Sequence, residues 1–141
     1  MKIAFVGADS LVFTKNLPTD ILGFTELRGA SIALHDISHE RLETAGMMAR
    51  WTSEQLEAGA RVEEHPDLRG ALEGADFVIN MVQIGMHEAT LVDFEVPKRY
   101  GLKQAIADSL GIGGIFRGLR TIPFVLDLAE EMKLAAQTRC S

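Results

Sequence analysis

The chain has 141 residues, of which 20 are acidic and 14 basic, giving a formal net charge of −6. This length fits one domain with a sizeable core, and the acidic balance without a block of lysine or arginine argues against a nucleic-acid partner. The apolar run after Lys2 stops at Gly7 and is too short for a signal peptide or a membrane span, and the single Cys140 leaves no internal disulfide. We therefore expect a cytoplasmic protein without a membrane partner.

The first predicted element is a strand over residues 3–6, which ends at Gly7. An apolar run that stops at a glycine is typical of the opening of a parallel βαβ unit, where the following amides can bind a phosphate. Only the first glycine of the G-x-G-x-x-G fingerprint is present, because Ala8, Asp9 and Ser10 follow it. A nucleotide-binding turn, with amides beside Gly7 free to bind an anion, and an ordinary strand-to-helix turn both remain open.

A helix follows, predicted to begin after an Asn16 cap with Pro18 in its first turn. The next strand, residues 31–34, brings Asp36 to its carboxyl end. A carboxylate in this place binds the ribose of a dinucleotide, usually about 20 residues after the glycine turn. Asp36 comes 29 residues after Gly7, a difference that the intervening helix and loop can absorb. The alternative is that Asp36 caps the next helix.

The rest of the first half alternates in the same way. We predict helices over residues 38–58 and 67–72, a strand over residues 61–65, and a fully buried strand over residues 76–82. This alternation predicts an α/β fold, a Rossmann-like doubly wound parallel sheet with flanking helices, that binds its ligand at the carboxyl ends of the strands. The loop 83–87 would then open onto the ligand crevice, where His87 either contacts a ligand or is solvated.

A second glycine-rich segment precedes the last predicted helix. Gly111, Gly113 and Gly114 come just before a long run with apolar residues at helical spacing. Pro123 lies inside this run and should kink or restart the helix.

Four motifs resemble a known family: GADSLVFTKN, ALHDISHERL, ALEGADFVINMVQIG and, most specifically, DFEVPKRYGLKQAIADSLGIGGIFRGLRTIP. The sequence resembles glycoside hydrolase family 4, whose glycosidases depend on NAD and a divalent metal, and within it the melibiase-type α-galactosidases. The resemblance implies an NAD-mediated redox elimination, outside the usual two-carboxylate glycoside hydrolysis. NAD takes a hydride from C3 of the sugar, a tyrosine removes the C2 proton, and Mn²⁺ stabilises the enediolate.

The resemblance also implies roles for individual residues. Asp108 would tune the basicity of the catalytic tyrosine, or instead cap the glycine-rich turn. Arg117 and Arg120 would hold substrate or cofactor oxygens, although pairing of either arginine with a nearby carboxylate is an equal alternative. The positions that match the family's NAD site are Gly7, Ala8, Ser10 and Asp36 for the turn and the ribose, and Val82, Gln83 and Gly85 on the nicotinamide side.

The chain also departs from the family pattern. Asp9 replaces a glycine near the expected pyrophosphate, so its carboxylate should weaken cofactor binding unless it turns away. Met86 and His87 stand where similar α-galactosidases have glycine and tyrosine. The positions that match the family contain neither its catalytic tyrosine nor its metal ligands, so no metal-binding residue is assigned in this chain.

These observations predict an NAD-binding domain at residues 1–134, the N-terminal part of an α-galactosidase- or α-glucosidase-like enzyme, followed by a divergent tail at residues 135–141. The chain alone should not turn over a glycoside, and it should form a homo-oligomer. One alternative is a non-catalytic nucleotide-binding or oligomerising module. Another is an oxidoreductase resembling hydroxy-acid dehydrogenases, which would require a catalytic histidine paired with a carboxylate.

Overall fold

The computed structural model describes residues 1–8, 11–103 and 111–138. The strands are β1 (Lys2–Val6), β2 (Ser31–His35), β3 (Arg61–His65) and β4 (Phe77–Asn80). The helices are α1 (Leu11–Gly23), α2 (His39–Gln55), α3 (Leu68–Leu72), α4 (Met86–Arg99) and α5 (Ile112–Thr138), with a short 3-10 turn at Thr25–Leu27. The chain divides into two compact units, with Met1–Val82 and the end of α5 from Glu131 in unit 1, and Gln83–Glu130 in unit 2.

Unit 1 contains a four-stranded sheet in the order β3-β2-β1-β4, and every pairing is parallel. The register places Val6 opposite both His35 and Asn80, and His35 opposite His65. The carboxyl ends of the four strands therefore form one row, followed by the segments that carry Gly7, Asp36 and Val82. This architecture confirms the predicted Rossmann-like parallel sheet.

The two faces of the sheet are covered by different helices. One face packs against α1 and α2 through a buried cluster that contains Ile3, Phe5, Ile32, Leu34, Leu42, Ala45 and Ala49, with Leu17 and Ile21 packed against it. The alternating residues of the central strands point to the other face, where α3 lies over β1, β2 and β3. Ala4, Ala33 and Ala71 are fully buried. Helices on both faces confirm the doubly wound arrangement.

Helix α2 lies very close to β3. A side chain at Gly46 would collide with the carboxylate of Glu64 on β3, and that carboxylate accepts a 2.6 Å hydrogen bond from Arg50 Nη2 on α2. The missing side chain at Gly46 therefore leaves room for the Glu64 carboxylate in the position where it pairs with Arg50.

The predicted beginning of the first helix is wrong. Helix α1 is already present at Leu11, so Asn16 lies within it and Pro18 lies in its interior. A proline inside a helix removes one backbone hydrogen bond, and the side chain of Pro18 is fully buried at this interior position. The sequence rule that places proline in the first turn did not account for this burial.

The fourth strand differs from its prediction in length and burial. β4 has four residues, and its burial is only partial, with Phe77 59% exposed. Within the described residues β4 pairs with β1 alone, so it is an edge strand. An apolar run predicts a strand but cannot show whether a neighbour covers it.

Two predictions about unit 2 are also corrected. The loop after β4 ends at Gly85, and His87 lies exposed in the first turn of α4. Helix α5 continues through Pro123, so the predicted restart there is wrong. None of the described helices has the length and apolar character needed to cross a membrane.

Candidate functional site

The turn after β1 requires glycine for two reasons. Gly7 has a φ of 81°, in the region that side chains disfavour. A Cβ at this position would lie 2.7 Å from Val82 Cγ2 and 2.9 Å from the Val82 backbone nitrogen. The segment after β4 therefore passes directly against the turn, and only glycine leaves room for it.

The amides at this turn are used within the protein. The amides of Gly7 and Ala8 both donate to the backbone oxygen of His35, at 2.9 and 3.1 Å. The prediction that amides beside Gly7 are free is therefore wrong for these two. The next two residues, Asp9 and Ser10, lie outside the described residues.

Asp36 lies at the carboxyl end of β2 and is 6% exposed. Its Oδ1 accepts a hydrogen bond from the amide of Ser38, the N-cap residue of α2, at 2.8 Å. This bond fixes the chain just before α2, but the N-cap residue is Ser38 and not Asp36, so the capping alternative is wrong. The Ser38 amide bonds only Oδ1, and a carboxylate can accept several hydrogen bonds. Asp36 can therefore also accept hydrogen bonds from the hydroxyls of a ribose.

Sequence reasoning did not assign a role to His35, which is buried beside Asp36. Its Nδ1 lies 3.0 Å from the backbone oxygen of His65. Because a carbonyl only accepts, Nδ1 carries the proton. The side chain thereby ties the end of β2 to the end of β3, a long-range contact with no local sequence signal.

In unit 2, α4 begins at a turn with two left-handed residues in succession. Gly85 has a φ of 78° and Met86 a φ of 52°, which is uncommon for a residue with a side chain. Gln83 Nε2 donates to Thr90 Oγ1 at 3.2 Å and to the Met86 carbonyl at 3.4 Å. The side chain of Gln83, predicted to contact the cofactor, thus fixes the beginning of α4.

A buried ion pair joins α4 to α5. Arg120 Nη1 and Nη2 donate to the two carboxylate oxygens of Asp93 at 2.7 and 2.5 Å, and Asp93 is 1% exposed. The hydrogen bonds that Arg120 donates to the Asp93 carboxylate raise the pKa of Arg120. The structure thus confirms the carboxylate-pairing alternative for Arg120, while Arg117 is half-buried on the same helix. Asp93 was missed because its partner is 27 residues away.

The remaining predictions concern Asp108 and metal ions. Asp108 lies outside the described residues, as do Ser10 and Asp9. Across residues 1–8, 11–103 and 111–138, no group of three or more His, Cys, Asp or Glu side chains is placed to hold a metal ion.

Comparison with known proteins identifies the family. The sequence model of the family 4 glycosyl hydrolases matches residues 2–137. The chain is 44% identical to an α-galactosidase of Bacillus subtilis over 133 residues, covering 94% of this chain and 31% of that protein. It is 40% identical to an α-galactosidase of Rhizobium meliloti over 136 residues, covering 96% of this chain and 28% of that protein. It therefore spans about a third or less of the length of these relatives.

A solved structure shows the same fold. The 6-phospho-β-glucosidase of Thermotoga maritima, crystallised with manganese, NAD⁺ and glucose-6-phosphate, superposes with a TM-score of 0.81 at 24% identity, covering 94% of this chain and 32% of that one. At this identity the likeness supports the fold alone. The family is shown by the sequence model that matches residues 2–137: the chain belongs to glycosyl hydrolase family 4.

Proposed function

We propose that this chain is the NAD-binding part of an α-galactosidase-type family 4 enzyme that works with NAD and manganese. The single observation that carries this proposal is the placement of the Gly7 turn and the Asp36 carboxylate at the carboxyl ends of the adjacent strands β1 and β2. The 44% and 40% identical α-galactosidases support the substrate class. Bound NAD would supply a hydride acceptor for oxidation of the sugar.

The residues at the end of β2 fit the adenosine half of NAD. The amide of Ser38 holds Asp36 in place, and the carboxylate has further lone pairs for ribose hydroxyls. Ile37, the next residue, is 97% exposed and offers an apolar surface to a nucleobase. Because Asp36 is already buried, little additional desolvation is needed when a ribose binds.

The proposed NAD contacts are therefore those predicted from the sequence: Gly7, Ala8, Ser10, Asp36, Val82, Gln83 and Gly85. The side chain of Gln83 and the amides of Gly7 and Ala8 are used internally, so these three residues would shape the site more than they bind the ligand. Asp108 and Arg117 stay proposed active-site residues. The described residues provide no manganese cluster, so no manganese ligand is proposed among them.

The NAD proposal is tested by calorimetric titration of the whole chain with NAD. Asp36→Asn should weaken NAD binding about tenfold, because it removes a charge-assisted hydrogen bond to the ribose while its side-chain oxygen can still accept from Ser38. Glu40→Gln makes the same charge change on an exposed side chain in the first turn of α2 and should bind NAD as the wild type does.

The same titration with NADP provides a second measurement. A carboxylate at residue 36 repels the 2′-phosphate of NADP, so wild-type protein should bind NADP more weakly than NAD. Asp36→Asn should reduce the difference between the two affinities. Wild-type protein that shows no saturable binding of NAD would overturn the proposal. Equal NAD affinity in wild type and Asp36→Asn would remove the ribose role of Asp36.

Two further parts of the proposal concern the chain in solution. We expect no turnover of nitrophenyl α-galactoside by the chain alone with NAD, manganese and reductant, and measurable turnover would contradict this. We also expect self-association, since Ile115, Leu119, Ile122 and Leu126 form an exposed apolar stripe on α5 at alternating spacings of four and three residues. Sedimentation equilibrium that shows a monomer at all concentrations would exclude it.

A further inference from the structure

His35 is the last residue of β2, and neither the family match nor the proposed function assigns it a role. Its side chain points to the face of the sheet that α3 covers, and the residue is 9% exposed. Nδ1 donates to the backbone oxygen of His65 at 3.0 Å, at the point where the pairing of β2 with β3 ends. The imidazole therefore ties the end of β2 to the end of β3.

The backbone oxygen of the same residue holds the turn after β1. This oxygen accepts the amides of Gly7 and Ala8, at 2.9 and 3.1 Å. The peptide group to which it belongs ends in the amide nitrogen of Asp36, the next residue. A single peptide group is thus bonded to the Gly7 turn on one side and carries the carboxylate proposed to bind the ribose on the other.

Asp36 itself lies just beyond the last residue of β2. Its carboxylate accepts the amide of Ser38, which belongs to the same short segment, so that bond shapes the segment without tying it to the sheet. The two sets of bonds made by His35 do tie it to the sheet. The carbonyl holds the segment to β1, and the imidazole holds it to β3.

We propose that His35 is a positioning residue of the NAD site: its imidazole holds the end of β2 against β3, so that the Gly7 turn and the Asp36 carboxylate keep the separation that the adenosine half of NAD requires. The inference rests on the proposed NAD function. All of these residues belong to unit 1.

The test compares His35→Asn with His35→Leu by calorimetric titration of the whole chain with ADP. ADP contains the adenosine ribose and two phosphates but no nicotinamide, so its binding reports on unit 1. The two variants have the same branching at Cγ, and only asparagine keeps an N–H donor there. His35→Leu should bind ADP about fivefold more weakly, equivalent to the loss of one hydrogen bond, and His35→Asn should stay within about twofold of wild type.

A control on the same strand separates positioning from general loss of stability. Ile32 is fully buried in the cluster on the other face of the sheet. Ile32→Val should lower the stability in urea unfolding and leave the ADP affinity unchanged. If His35 only stabilised the fold, His35→Leu would behave in the same way. Wild-type ADP affinity in His35→Leu, or equal weakening in His35→Leu and His35→Asn, would overturn the inference.

A measurement on wild-type protein covers the case in which the His35 variants fail to fold. The nitrogen NMR signal of His35 Nδ1 should shift on addition of ADP and follow the same saturation curve as the Gly7 amide. An unchanged Nδ1 signal at saturation with ADP would overturn the inference, as would wild-type protein that binds NAD but not ADP. Wild-type protein that binds neither ligand contradicts the proposed function itself.

Discussion

The turn at Gly7 in unit 1 and the turn at Gly85 in unit 2 have similar backbones but different supports. Both have a glycine with positive φ at a helix entrance. The first is held by main-chain bonds to the His35 oxygen and by the backbone of Val82. The second is held by the side chain of Gln83, which donates to Thr90 Oγ1 and to the Met86 carbonyl. Substitutions of neighbouring side chains should therefore change the conformation of the Gly85 turn more readily than that of the Gly7 turn. A side chain added at Gly7 itself should destabilise the first turn.

The largest effect is expected from the core beneath the first turn. Phe5 is fully buried in β1, and Phe5→Ala should lower the free energy of unfolding by about 4 kcal/mol because it leaves a cavity. Val92→Ala on α4, where the side chain is 52% exposed, should change it by less than about 0.5 kcal/mol. Urea unfolding followed by circular dichroism measures both. Similar losses in the two variants would refute the assigned burial.

The next largest loss of stability is expected from a side chain added at Gly7. Gly7→Ala should cost about 3 kcal/mol, because alanine would meet the Val82 backbone and would also adopt a disfavoured φ. Gly29→Ala is the matched control, since Gly29 has a φ of 77° and nothing within 4 Å of the added Cβ. It should cost only about 1 kcal/mol. Equal losses in urea unfolding would show that the contact with Val82 is unimportant.

A gain in stability is expected at the second turn. Met86→Gly should raise the free energy of unfolding by about 1 kcal/mol, because glycine adopts a φ of 52° without strain and the Met86 side chain is 44% exposed. Glu57→Gly, at a φ of 48° after α2, should give a similar gain in unit 1. Glu88→Gly in the first turn of α4 should instead be destabilising. Thermal melts that place all three variants below wild type would contradict the assigned strain.

The smallest change in stability is expected at the ion pair between Arg69 and Glu131, which is more exposed than the pair between Asp93 and Arg120. Hydrogen bonds from Arg69, at 2.7 and 3.0 Å, lower the pKa of Glu131 below its ordinary value of 4.5. A lowered folded-state pKa stabilises the protein above that ordinary value and loses its effect as the pH falls through the lowered one. Solvent screening keeps the contribution small.

Arg69→Gln should therefore lower the melting temperature slightly at neutral pH, and the difference from wild type should shrink as the solution becomes strongly acidic. Arg28→Gln removes the same charge from another exposed arginine and should show no such convergence. A difference that grows in acid would reverse the assigned direction of the pKa shift.

The strands β1, β2 and β4 were predicted from apolar runs, whereas β3 contains a single apolar residue, Val62. β3 was predicted with its observed bounds, and β2 differs by one residue. The partial exposure of β4 was not predictable, since it depends on which strand lies beside it. The start of α1 was missed because a buried interior proline has the same local sequence as one in a first turn.

The candidate site was predicted only where it depends on chain order. Asp36 was identified because it follows a strand, and Met86 was noted because it departs from a glycine of the family. The internal use of the Gly7 and Ala8 amides was not visible, since their acceptor is a backbone oxygen on another strand. The Asp93 and Arg120 pair required three-dimensional proximity that no spacing rule supplies.

The Gly46 position on α2 decides where one carboxylate of β3 can lie. A Cβ at residue 46 would be 1.9 Å from Glu64 Oε1, the end of a flexible side chain that also accepts a hydrogen bond from Arg50. A larger residue there would turn this carboxylate away and leave the Arg50 guanidinium without it. A glycine inside a helix costs about 1 kcal/mol in helix propensity, and at this position the ion pair that it makes room for offsets part of that cost.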